Sequence, residues 1–118
     1  MGLDLDSQDG NKELFRGAYS AFHRLREFLK HIHLAYAEEP ANQQITEGAE
    51  ILFKHSDCGG KFTVPQCKKV KTFLNWIKPF VKDNYDMGGH ISNVHECLDK
   101  FIAGLSYCID NKQPAIFH

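Results

Sequence analysis

From Leu14 onward, apolar residues recur at Ala18, Phe22, Leu25, Leu29, Ile32 and Tyr36, in steps of four and three. That spacing gathers them on one side of an α-helix, and Phe15, Tyr19 and Phe28 widen the stripe. A helix of roughly six to seven turns with one apolar face must bury that face against other elements, so this segment constrains the fold more than any other. The pattern predicts a helix over about 12–38. It should stop before Pro40, because proline pushes the residue ahead of it out of helical conformation.

Three further helices are expected to cover it. One runs over about 46–55 and buries Ile45, Ala49, Leu52 and Phe53; its Gly48 costs about 1 kcal/mol relative to alanine, so packing has to hold it. The Gly59-Gly60 pair ends it. The next opens on a capping box, Thr63 with Gln66, and has Pro65 in its first turn, where the missing N–H costs nothing. It is predicted over about 64–82, with Cys67, Val70, Phe73, Leu74, Ile77 and Val81 inward. Pro79 should break it near Lys78 and leave Phe80 to Lys82 as a separate turn.

The fourth, over about 93–111, is capped by Ser92 or Asn93, buries Val94, Leu98, Phe101, Leu105 and Cys108, and ends ahead of Pro114. Between the third and fourth, DNYDMGGHIS reads as loop. The alternations MGLDL at the start and PAIFH at the end are expected to pair as a two-stranded ribbon. The sequence therefore predicts a mainly α, four-helix single domain spanning 1–118. Its 118 residues, 42% hydrophobic with nine Phe, supply a core without staples.

Composition narrows the functional classes. A formal net charge of −1 gives no global pull toward nucleic acid or acidic lipid. No run approaches the ~20 apolar residues of a membrane span. The acidic start lacks a signal peptide's basic and apolar regions, and Asp6 stands where N-myristoylation wants Ser or Thr. The expectation is a cytoplasmic protein with no membrane contact, whose four cysteines are free thiols.

The stretch most suggestive of chemistry is HSDCGGKFTVPQC, residues 55–67. Twelve of its residues lie on the calcium loop of an EF-hand with Gly60 at the sharp turn and Phe62 two places later. The ligands do not follow: His55 stands in place of the first Asp, Gly59 has no side-chain oxygen, and Gln66 replaces the bidentate Glu. The loop is a degenerate EF-hand-like sequence. Zinc would find ligand types in His55, Asp57, Cys58, Cys67, His90, His95 and Cys97, but no short Cys-x2–4-Cys pair. Cys58 beside His55 and Lys61 has the makings of a reactive thiol, without a positioned base or oxyanion donors. The first reading is a structural turn without a cofactor. In it Ser56 and Asp57 bond their own backbone, the glycines supply positive φ, and His55 sits at a helix C-terminus. The alternative is one divalent cation, zinc or calcium, held by His55, Asp57 and Cys58.

The segments MGLDL, YSAFHRLREFL, LFKHSDCGGKFTVPQC and FIAGLSYCIDNKQPAIFH together resemble a group of small uncharacterised bacterial and phage proteins, in which the loop more often reads His-Ser-Asp-Cys-Asp-Gly. The resemblance covers most of the chain and implies a microbial cytosolic protein of shared fold. It carries no assigned activity. Gly59 stands where an Asp would add a second carboxylate, which weakens the metal reading here.

Charge is unevenly distributed. Residues 1–50 carry nine acids against five Lys/Arg, residues 51–118 six against nine, and six lysines without an acid fall between Lys61 and Lys82. On the third helix Lys68, Lys71, Lys78 and Lys82 fall within about 80° of arc. Arg16, His23, Arg26, Lys30 and His33 form a second stripe on the first helix, and the two could merge into one surface for nucleic acid or an acidic partner. Trp76 does not interleave with the lysines, which disfavours single-stranded nucleic acid. His31 and His33 are expected at the surface. With no paired carboxylates, phosphate loop or triad, the reading leans away from an enzyme. It favours a small cytosolic non-enzymatic binding or regulatory module acting through a protein partner, as monomer or homodimer. A metal-binding loop and a nucleic-acid-binding helix are the alternatives.

Overall fold

The computed structural model describes residues 2–35, 43–55, 59–81 and 94–117. Among them four α-helices pack with a four-stranded antiparallel sheet. The chain runs β1 (Gly2–Ser7), β2 (Glu13–Ala18), α1 (Tyr19–Ala35), α2 (Gln43–Lys54), β3 (Lys61–Phe62), α3 (Val64–Ile77), a 3-10 turn (Lys78–Phe80), α4 (Val94–Asp110) and β4 (Ala115–Phe117). The mainly α expectation holds, and its details change at three places.

The first change is at the start of the long helix. Residues Glu13–Ala18 form a strand, and α1 begins only at Tyr19. The cause lies upstream. Leu3 and Leu5 are buried and alternate with half-buried Asp4 and Asp6, and Asp9-Gly10 turns the chain, with Gly10 at φ +75. The hairpin pairs Leu3 with Gly17 and Leu5 with Phe15, with a bulge between Leu5 and Asp6. Consecutive Leu14 and Phe15 are both buried because a strand points neighbours to opposite faces. Leu14 packs on Gly104 of α4, while the Phe15 ring meets Phe22 of α1 edge-on at 5.1 Å.

The expected ribbon is half of a larger sheet. β1 and β4 do pair, Leu5 opposite Phe117 and Ser7 opposite Ala115, but the strand order is β2-β1-β4-β3. β3 joins because Gly60, at φ +90, turns the chain so that Phe62 pairs with Ala115 and the Gly60 carbonyl accepts from Phe117 N–H at 3.0 Å.

The helix bounds shift as well. α2 starts at Gln43 and ends at Lys54. α3 ends at Ile77, with Lys78–Phe80 as the 3-10 turn that Pro79 enforces. α4 runs Val94–Asp110, close to expectation. The Thr63–Gln66 box is formed in both directions, Gln66 N–H donating to Thr63 Oγ1 at 3.4 Å and Thr63 N–H to Gln66 Oε1 at 2.9 Å. A Cβ placed on Gly48 would lie 2.1 Å from the Lys69 carbonyl oxygen, so this glycine lets α2 and α3 approach.

One apolar core runs through all these elements, with Phe22, Phe62, Phe73 and Phe101 its largest fully buried side chains. The β1–β2 turn is tied to the α4–β4 corner through one carboxylate. Asp9 accepts from Ser7 Oγ (2.6 Å), Asn11 N–H (2.9 Å), Tyr107 OH (2.7 Å) and Gln113 Nε2 (3.0 Å). Those donors, Ser7 foremost, hold its pKa far below the ordinary carboxylate range. Among the described residues no helix is long and apolar enough to cross a membrane.

Candidate functional site

The 55–67 segment is described at its two ends. His55 follows α2, its N–H bonded to the Ile51 carbonyl at 3.2 Å. Its ring is stacked on Phe117, with centroids 4.3 Å and planes 17° apart, and meets Phe62 at 4.8 Å. Nε2 lies 2.9 Å from the Lys61 carbonyl, to which an N–H there donates. His55 thus joins the helix end to β3 and β4, as a structural turn requires, and an ion at Nε2 would have to displace that bond. Asp57 and Cys58 lie outside the described residues. Among those described, no group of three or more His, Cys, Asp or Glu side chains gathers that could hold a metal ion.

The described thiols are core groups. Cys67 and Cys108 are fully buried. The hydrogen bond that the Cys67 thiol donates to neighbouring Cys108, together with burial, holds Cys67 protonated. Burial pushes Cys97 up to about 11.

The basic residues are divided among different tasks. Arg16 lies on β2 rather than on the first helix, and its Nε contacts Asp4 at 3.0 Å and Glu13 at 3.7 Å. The Asp4 charge, then that of Glu13, raises its pKa. Arg26 reaches from α1 to donate through Nη2 to the Phe53 carbonyl in the last turn of α2, and its guanidinium lies 5.3 Å from the Phe22 ring centroid. It caps a helix C-terminus, where a cation suits both the orphan carbonyls and the dipole. Lys78 bridges to Asp99 of α4, and Lys69 to Glu47 of α2 at 2.9 Å. Lys82 lies outside the described residues. Lys30, Lys68 and Lys71 make no ion pair among the described residues. Lys68 and Lys69 line a depression of about 370 Å³ with Pro65 and Thr72. Arg16, Arg26 and Lys78 therefore engage internal partners.

A second arrangement escaped the sequence reading. Phe53 of α2, Phe73 and Trp76 of α3, His33 of α1 and Phe80 of the 3-10 turn form one aromatic row. Phe53 meets Phe73 at 5.5 Å, Phe73 meets Trp76 at 6.4 Å, and Trp76 meets Phe80 at 5.3 Å. The His33 ring lies 5.5 Å from Phe73, 5.7 Å from Trp76 and 6.4 Å from Phe53. The row passes through fully buried Phe73 and ends at Phe80, a large hydrophobic side chain that is 38% exposed. His33 was expected at the surface. It is half-buried instead, and its Nδ1 is buried without a hydrogen-bond partner among the described residues. Burial lowers its pKa. His31 is exposed as expected. The signal for the row was Trp76 and Phe80 four apart, flanking the helix's apolar face; Pro79 hid it by implying a break there.

Comparison of the chain with models of protein families, with curated proteins and with solved structures found no match to any of them.

Proposed function

We propose that this chain is a small non-enzymatic binding or regulatory module of the cytosol that engages a protein partner through Phe53, Trp76 and Phe80. The observation that supports this reading is Phe80. Its ring is exposed, yet it is held against Trp76 as the outer end of a row rooted in the core. An aromatic side chain kept rigid at the surface loses little entropy on docking, and Trp and other aromatics dominate the buried centres of protein interfaces. Lys68 and Lys71, also on α3, favour a partner whose contact segment is apolar with acidic flanks. The resemblance to bacterial and phage proteins suggests a microbial setting.

Two alternatives have less support. A divalent-cation role for the loop needs Asp57 and Cys58 beside a His55 whose Nε2 is already bonded. A nucleic-acid role for the Lys68–Lys82 face starts with Lys78 paired to Asp99.

The test places a photo-crosslinking amino acid at position 80, irradiates it in a microbial cytosol, and titrates the purified captured protein against wild type and Phe80→Asp. A loss of affinity of at least about tenfold, with melting temperature within about 2 °C, is expected. Equal binding by both chains, or capture of nucleic acid, overturns the reading. Crosslinking to the chain itself replaces it with a self-association surface.

A further inference from the structure

We infer that His33 is a proton-sensitive element of the aromatic row, and that its protonation loosens the Trp76–Phe80 surface. The regulatory consequence rests on the interaction surface proposed above; the switch itself does not.

Aromatic side chains of two neighbouring helices surround the imidazole. Phe53 of α2 and Phe73 and Trp76 of α3 lie against it, the last two nearly perpendicular at 86° and 80°. These rings offer the neutral imidazole apolar contact and no hydrogen-bond acceptor. Nδ1 is buried and unpartnered among the described residues. Protonation leaves both ring nitrogens as donors and puts a positive charge on the ring. The new charge has lost part of its hydration, and cation–π attraction to neighbouring rings recovers only a fraction of it.

Among the described residues, the charged groups on the surrounding elements do not rescue it. On α2, Glu50 and Lys54 are exposed, and Glu47 is paired with Lys69 of α3. On α3, Lys68 is exposed, Lys71 is half-buried and Lys78 is paired with Asp99. On α1, Arg26 is bound to the Phe53 carbonyl, and Arg24, Glu27, Lys30 and His31 are exposed. Burial is the cause that moves the His33 equilibrium, toward the neutral form.

The sign follows. A histidine that is easier to deprotonate in the fold than in the open chain contributes stability that is present above its unfolded pKa, about 6.5, and lost as pH falls. The simplest relief short of unfolding is for the ring to turn toward water, which removes the support under Trp76 and, through it, Phe80.

Trp76 is the single tryptophan, so its fluorescence reads this contact directly. Turning the ring away leaves the indole more open to water, which moves its emission to longer wavelength. The expected result is a reversible red shift of the emission on acidification, with a midpoint below about 6.5 and unchanged far-UV circular dichroism, that disappears in His33→Phe. In parallel, carbon-13 labelling of the histidines follows the His33 ring in the wild-type chain, which decides the matter if His33→Phe does not fold. An emission profile identical in wild type and His33→Phe, or a His33 ring that titrates at or above about 6.5, overturns the inference. Neither readout involves a partner. A proton response with no capture at position 80 therefore refutes the interaction surface alone, and capture with no proton response refutes the switch alone.

Discussion

The His55 ring lies flat on the Phe117 ring, 4.3 Å between centroids and 17° between planes. It thereby links the end of α2 to the strand that occupies an inner position of the sheet. The contact assigns the histidine of the HSDCGG segment a packing task. Phe117→Ala should cost about 3–5 kcal/mol by urea unfolding, as removal of a core phenylalanine does. In a double-mutant cycle with His55→Ala, a coupling of about 0.5–1.5 kcal/mol is expected. A coupling near zero would mean that the stacked pair acts as two independent side chains.

Gly48 inverts the usual rule for helices. Gly→Ala in a helix interior ordinarily stabilises by about 1 kcal/mol. Here the added Cβ would meet the Lys69 carbonyl oxygen at 2.1 Å and the Phe73 Cβ at 3.0 Å. Gly48→Ala should therefore destabilise, by roughly 1–3 kcal/mol, because backbone cannot yield as a side-chain tip can. A rise in the urea midpoint would show that α2 moves off α3 at little cost.

Arg26 and Lys30 are both basic residues of α1, and they should behave differently. Arg26→Met removes the charged donor to the Phe53 carbonyl and is expected to cost about 1.5–3 kcal/mol, whereas Lys30→Met should stay within about 0.5 kcal/mol. Thermal melts of the two variants decide it. Equal effects would return Arg26 to the class of surface charges.

Asp9 provides an acid-labile tie between the β1–β2 turn and the α4–β4 corner. Its folded-state pKa is depressed, first by Ser7 and then by Asn11, Tyr107 and Gln113, so its stabilisation is present above the unfolded value of about 3.9 and is lost as pH falls. The difference in melting temperature between wild type and Asp9→Asn should be steady near neutrality and shrink on acidification below about pH 4. A difference that is flat down to strong acid would show that the carboxylate's charge is irrelevant to the tie.

Elemental analysis of native and chelator-treated protein should find no stoichiometric ion, and the two melting curves should superimpose. About one zinc or calcium per chain with a lowered melting temperature would restore the cation reading of the loop.

The four helices were legible because each wrote a period of three and four over at least three turns, and the Thr63–Gln66 box fixed a boundary almost to the residue. The sheet was harder. Glu13–Ala18 sits where the helical spacing of Leu14, Ala18 and Phe22 also fits, and only the Asp9-Gly10 turn after Leu3 and Leu5 separates the two readings. β3 is two residues long, too short for any alternation. Pairwise contacts were illegible for a different reason. Arg26 to Phe53 and His33 to Trp76 join separate helices, and one helix's periodicity says nothing about which neighbour its flank meets.

The strand order has a kinetic consequence. The inner strands β1 and β4 come from segments separated by most of the described sequence, and β3 pairs only with β4. Contacts that close so long a loop form late. During synthesis the β1–β2 hairpin and the α2–α3 pair can assemble early. Leu5 and Phe62 lack their final neighbours until Ala115–Phe117 has left the ribosome. Until then the nascent chain carries an open sheet edge, and its vulnerability to aggregation should be set by how quickly β4 docks.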